Sequence, residues 1–309
     1  MDYESEKVKM WKSEKVRIRF SSCFFTFSLF HFKKIMKLKI YFFLVCLVFV
    51  AASCGGASGD GSGSPEMTKN MLKLRGFEFN TDGFFKAIRL NDTVAIKGFF
   101  DAGMDPNTKN ARGETALTYA IPNVELKTVK AVAEKADINM QDNLGQSALH
   151  LALSKQKEEI FEYLLEKGAD VNVGGSKENL RNQTALYLAV TRGREDLVQK
   201  LLDKGADPNI ADADGGIVLA EACIGAAVNQ NIIKMLLDKG AQVNQQEKNG
   251  MTPLLYLAAN NRASAETRRA VAQMLLDAGA DKKIKDKNGR TPLDWAKKQG
   301  NKDLVDLLK

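Results

Sequence analysis

The chain has 309 residues, enough for about two ordinary domains, and is 44% hydrophobic and 27% charged. Its formal charge of +7 is concentrated at one end: residues 1–53 hold 10 Lys/Arg against 4 Asp/Glu, whereas residues 54–309 hold 35 against 34. The body of the chain is therefore nearly neutral, which argues against electrostatic capture of a phosphate backbone and predicts no nucleic-acid partner.

Residues 1–35 join a charged run, MDYESEKVKMWKSEKVRIRF, to an aromatic one, FSSCFFTFSLFHF, with no usable period. From Met36 the pattern changes: Lys37 and Lys39 precede thirteen uninterrupted apolar or small residues, Ile40 to Ala52. That length suits a secretory signal and falls short of the ~20 residues that span a bilayer. Residues 36–53 are read as a signal peptide, with translation starting at Met36 and residues 1–35 an upstream extension. Val50-Ala51-Ala52-Ser53-Cys54-Gly55 resembles a bacterial lipoprotein lipobox, although Ala51 stands where that motif usually has leucine. The resemblance implies that Cys54 is lipidated, becomes the first mature residue and anchors the chain to a membrane of the bacterial cell envelope, on the periplasmic or surface face. Plain cleavage by a general signal peptidase is the competing reading. The Gly/Ser-rich residues 54–66 have no apolar face to bury and read as a flexible tether, and residues 67–80 as an N-terminal flank.

From residue 81 onward one pattern recurs. In Asp142–Asn172 it runs DNLGQSALHLALSKQKEEIFEYLLEKGADVN, with an apolar ladder over Leu149–Leu153 and a second over Ile160–Leu165, both at helical spacing, closed by Gly168. The closing position recurs at Gly103, Lys135, Gly168, Gly205, Gly240 and Gly279, spaced 32, 33, 37, 35 and 39 residues. A period near 33 marks a stacked solenoid, because one helical hairpin cannot bury both of its apolar faces.

The motifs within the period resemble ankyrin repeats. Thr291-Pro292-Leu293 and Thr252-Pro253-Leu254 match T-P-L-H-x-A, Ser147-Ala148-Leu149-His150-Leu151-Ala152 keeps its histidine, and Leu201 to Asn209 matches L-L-x-x-G-A-D-x-N. The resemblance implies an all-α repeat solenoid over residues 81–309: about seven helix-turn-helix units joined by β-hairpin finger loops. It also implies that His150 is a hydrogen-bonded turn residue, and that a protein or peptide partner binds the concave surface of finger tips and first helices. In this register those tips are Arg112 and Glu114, Leu144 and Gln146, Leu180, Arg181 and Gln183, Asp214, Asn249 and Met251, and Asn288 and Arg290. Leu144, Leu180 and Met251 are apolar at positions expected to face solvent, which suggests a partner groove.

Two irregularities are candidate binding loops. Asn172 to Thr184 is longer than its equivalents by four positions, which is expected to enlarge one finger, and six residues added between Leu254 and Gly279 are expected to form a loop over Asn260–Glu266. At the ends, Phe84, Phe85, Phe99 and Phe100 are read as an N-terminal cap with residues 71–77 packed across it. Leu304 to Leu308 form the other cap, with Lys302, Asp303, Asp306 and Lys309 facing outward.

Catalytic chemistry is not found. With one histidine outside the leader, triads and histidine-based zinc sites lack members. Asp212-Ala213-Asp214-Gly215 starts like a calcium loop but lacks its later ligands, so it reads as a turn. Of the four cysteines, Cys23 and Cys46 fall in the removed part and Cys54 carries lipid; Cys223 is read as a small buried hydrophobe. Trp295 is read as core or rim packing. The function expected is a non-catalytic, membrane-tethered, monomeric interaction scaffold that needs no cofactor or metal. The alternative is an envelope accessory or stress-protection protein supporting an enzyme through Cys223 or the inserted loops, or an immunity or inhibitor protein.

Overall fold

The computed structural model describes residues 64–175 and 182–309. The signal segment, Cys54, most of the tether, Leu180 and Arg181 lie outside the described residues. A helix α1 (Pro65–Leu74) precedes seven helical pairs. The first helices are α2 (Thr81–Arg89), α4 (Ala116–Asn123), α6 (Ala148–Ser154), α8 (Ala185–Thr191), α10 (Val218–Ala222), α12 (Pro253–Ala259) and α14 (Pro292–Gln299). The second helices are α3 (Thr93–Asp101), α5 (Leu126–Ala133), α7 (Glu158–Glu166), α9 (Glu195–Asp203), α11 (Gln230–Asp238), α13 (Ala265–Asp277) and α15 (Lys302–Leu308). Among the described residues the fingers form no strand, only one isolated antiparallel bridge between Lys109 and Thr115. The β-hairpins expected from the sequence are turns in five of the fingers, each closed within about five residues.

Local chemistry sets the helix ends. Thr115, Ser147, Thr184, Thr252 and Thr291 cap first helices by accepting from the amide three residues on. Ile217 occupies that position in one unit and makes no side-chain cap; its helix α10 has only 5 residues. At the other end of the pair, Gly168 has φ +79°, a left-handed closure that a Cβ would strain. Lys135, the one non-glycine at this position, is not among the residues of positive φ.

First helices pack on neighbouring first helices, and second helices likewise form a row, around one continuous apolar core from Leu72 to Leu308. The asparagine that ends the repeated motif staples units together. Asn107, Asn139, Asn172, Asn209 and Asn244 each accept, through Oδ1, the amide of Asp137, Asp170, Asp207, Gln242 or Asp281 in the next unit, at 2.7–2.8 Å. Asn172, Asn209 and Asn244 also donate to the carbonyls of Gly205, Gly240 and Gly279.

Both ends depart in detail from expectation. Helix α1 takes in Pro65 and Glu66, which the sequence placed in the tether, because Ser64 caps it and proline suits its first turn. It packs on α3 through buried Leu72, and Gly98 permits the approach: a Cβ there would lie 3.3 Å from Leu72 Cδ2. Phe84 and Phe99 are fully buried in an aromatic cluster with Phe77, Phe79 and Phe100. Asp303 does not face solvent. It receives a fork from Arg268, Nη2 to Oδ1 at 2.8 Å and Nε to Oδ2 at 3.1 Å, with side-chain exposures of 13% and 9%.

The insertion before Gly279 forms the expected loop only in part: 260–264 connect the two helices, but the last two of the residues expected there do not. Ala265 and Glu266 begin α13, which Ser264 caps and which reaches 13 residues against 9 in α11. Asn260 is buried, and its Nδ2 donates to the carbonyls of Cys223 and Gly225, closing the shortened α10 of the preceding unit. The added residues lengthen a helix and repair a neighbour.

Candidate finger-tip interface

Five fingers are each built around one side chain at the base. Asn110, Asp142, Asp212, Glu247 and Asp286 each offer one oxygen to the amides two and four residues on, at 2.8–3.1 Å. A backbone bond from the same residue's amide to the carbonyl four residues on closes the loop. A glycine of positive φ fills the fourth place, as at Gly113 and Gly250. At Gly113 a Cβ would also sit 1.9 Å from Asn143 Nδ2 of the next finger, so only glycine lets these fingers stack.

Successive fingers bond edge to edge. Asn143 donates its amide to Gly113 O, Lys248 to Asp214 O and Lys287 to Asn249 O, at 2.8–3.0 Å. Gln141 Nε2 bridges Gly145 O and Gly174 O, and Gln246 Nε2 bridges Gly250 O and Lys285 O. The base residues and these bridging glutamines were missed from sequence, although an Asn, Asp or Glu three places before glycine recurs in the period and signals them.

The tip is the second residue after the base. Arg112, Leu144, Asn249 and Asn288 are exposed there, Leu144 at 53%, while Asp214 is half-buried and paired with Lys248. The fourth residue turns inward, because its amide is bonded to the base side chain. Glu114, Gln146 and Arg290 are accordingly half-buried, and Met251 is buried. The expectation that Met251 is an exposed apolar anchor is thus corrected. The enlarged finger is closed by Gly175 N donating to Gln183 O at 3.0 Å, four residues wider than its neighbours. Gln183 is half-buried at its base.

Below the fingers lie the first helices. His150 Nδ1 lies 2.8 Å from Ser147 Oγ and Nε2 lies 2.9 Å from Gln183 O. A carbonyl only accepts, so Nε2 carries the proton and Nδ1 accepts from serine. Burial holds the histidine below its ordinary value, as suits a neutral positioning residue. Tyr187 Oη donates to Glu221 at 2.8 Å. Burial, then the nearby Glu247 carboxylate, pushes Tyr256 up to about 12. Trp295 Nε1 donates to Asp286 Oδ2 at 2.9 Å, so this tryptophan fixes the base of the last finger.

Other candidates are occupied by structural tasks. Asp212 satisfies its own turn. Cys223 is fully buried and desolvation pushes its thiol up to about 12, which removes the thiolate a redox role requires. No group of three or more His, Cys, Asp or Glu among the described residues is placed to hold a metal, and none of the described helices is long and apolar enough to cross a membrane.

The repeated finger, helical pair and asparagine staple coincide with a family model described as Ankyrin repeats (3 copies), which matches residues 84–175, 134–212 and 219–309. The chain belongs to the ankyrin-repeat family. It is 38% identical over 81 residues to Alpha-latrocrustotoxin-Lt1a of Latrodectus tredecimguttatus, covering 26% of this chain and 6% of that protein. It is 46% identical over 63 residues to Palmitoyltransferase akr1 of Schizosaccharomyces pombe, covering 19% and 10%. It is also 30% identical over 76 residues to an ankyrin repeat protein of Rickettsia bellii, covering 25% and 47%. The chain spans less than half the length of each of these relatives, so the activities in the first two names do not transfer. The ankyrin-repeat fold is typically a non-catalytic interaction scaffold, and membership supports a protein–protein interaction role.

Proposed function

We propose that the chain is a membrane-tethered ankyrin scaffold whose finger tips and first helices grip a protein or peptide partner at the cell envelope of a bacterium. The observation that carries the reading is the row of tips: one base residue per finger presents Arg112, Leu144, Asn249 and Asn288 at equivalent places, on fingers bonded to their neighbours. Rigid, pre-ordered loops lose little entropy on binding, and a partner laid along such a row contacts several units at once. Lipidation of Cys54 rests on the thirteen-residue apolar run and the small residues before that cysteine.

Capture from detergent-solubilised envelope tests the face. Arg112→Asp with Leu144→Asp removes capture while leaving melting nearly unchanged, and Lys200→Gln with Lys234→Gln, on second helices, leaves capture intact. Loss of capture in the second pair alone overturns the assignment of the face. Intact mass tests the tether. A chain starting at Cys54 with added acyl mass supports it, and a mature protein that keeps residues 37–53 contradicts it.

A further inference from the structure

The near-neutral repeat body conceals a segregation of charge. Lys282 to Lys298 hold seven Lys/Arg against two Asp, while the rest of residues 54–309 holds 28 against 32. None of these seven cations makes an ion pair among the described residues, in an array where Lys97, Arg194, Lys200 and Lys239 each bridge to a carboxylate of a neighbouring unit. One of the two aspartates, Asp286, is buried in its finger and bonded to Trp295. The other, Asp294, completes the capping box that Thr291 opens at the start of α14: its bonds to Thr291, then the nearby Lys297 and Lys285 ammoniums, hold its carboxyl below the usual range.

The cations are also organised. Asp286 fixes the Trp295 ring through the indole N–H and fixes Arg290 through its amide. The Arg290 guanidinium then lies 5.1 Å, and the Lys298 ammonium 4.6 Å, from the centre of the Trp295 ring. Lys287 stands exposed beside the tip of the same finger and Lys285 on its ascending arm. Surplus positive charge concentrated on one unit raises the energy of the folded chain by self-repulsion, and an anionic ligand relieves it.

We infer that the last unit holds an acidic segment of the protein partner, with Lys285, Lys287, Arg290, Lys297 and Lys298 as charge contacts around Trp295. The inference rests on the interaction role proposed above and adds the chemistry of one end of the partner. Charge complementarity selects an acidic peptide over a nucleic acid. Beyond this unit the balance turns slightly negative, 28 Lys/Arg against 32 Asp/Glu over the rest of residues 54–309, which suits a short acidic segment ending within one unit better than a long polyanion.

The test uses the chain in detergent with Trp11→Phe, so that Trp295 is the single tryptophan whether or not residues 1–53 are retained, and hexaglutamate as probe. Hexaglutamate is expected to change Trp295 fluorescence saturably, more weakly at about 300 mM than at about 50 mM salt. Lys285→Gln with Lys298→Gln should weaken it about tenfold at unchanged melting temperature. Lys234→Gln with Lys239→Gln, the same loss of charge elsewhere, should leave it unchanged. The inference is overturned by an equal response to hexaglutamine, by no saturable response, by tighter binding of oligothymidylate, or by displacement of the peptide by vesicles containing an anionic lipid. The titration needs no natural partner, so its failure leaves the finger-face reading standing, and failure of envelope capture leaves the titration interpretable.

Discussion

His150 donates its Nε2 proton to the carbonyl of Gln183, 2.9 Å away, and so ties α6 of one unit to the enlarged finger of the next. The bond requires no charge on the ring, and desolvation, only partly offset by the Gln183 carbonyl and Asp142, holds the folded histidine below 6.5. Below pH 6.5 the unfolded chain therefore binds a proton that the native one refuses, so stability is full above that value and falls as pH drops toward the folded one. The melting temperature is expected to fall between about pH 7.5 and about pH 5.5, and His150→Gln should flatten that slope. Carboxylates held below 3.8, such as Asp196, lose their contribution only at lower pH, so the two effects separate. An unchanged slope in His150→Gln would remove the histidine from this role.

Leu201 is fully buried in α9, a helix that packs on α8 of its own unit and on α11 of the next. Leu201→Ala should destabilise the chain by about 2–5 kcal/mol. Because each unit contacts only its neighbours, hydrogen exchange should accelerate first in α7, α9 and α11 and last in α2 and α3. Uniform acceleration across all units would show an all-or-none domain instead.

Arg268 and Asp303 close the C-terminal end. Arg268→Ala strands a nearly buried carboxylate, a loss of about 3 kcal/mol, and should expose α15 to exchange before any other helix. Arg268→Met with Asp303→Leu removes both charges and should recover most of that loss, since an apolar pair of similar volume needs no desolvation. Equal damage from the single and double variants would mean that packing of the arginine stem, and not the charge pair, holds the end.

The period, the paired helices, the buried Cys223 and the wider finger at Gly175–Gln183 were all legible in the sequence, because each follows from spacing of apolar residues and glycine. The fate of the second insertion was not. Ala265 to Ala270 are mostly good helix formers behind a Ser264 cap, so Ala265 and Glu266, which repeat comparison alone placed in the loop, begin α13 instead. Met251 was misplaced for a related reason. Its place in the finger is close to the tip in sequence, yet the Glu247 carboxylate draws its amide inward and buries the side chain. The pairing of Asp303 with Arg268 joins residues 35 apart, a contact that no local pattern announces.

The most direct measurement of the central claim is photo-crosslinking in the envelope, with a benzophenone amino acid placed singly at Leu144, Asn249 or Lys234. Leu144 and Asn249 lie on different fingers, and Lys234 lies on α11 beside Asp238. A partner seated along the finger row gives one adduct of the same mass from Leu144 and from Asn249, and none from Lys234. An adduct from Lys234 with none from either finger would contradict the account.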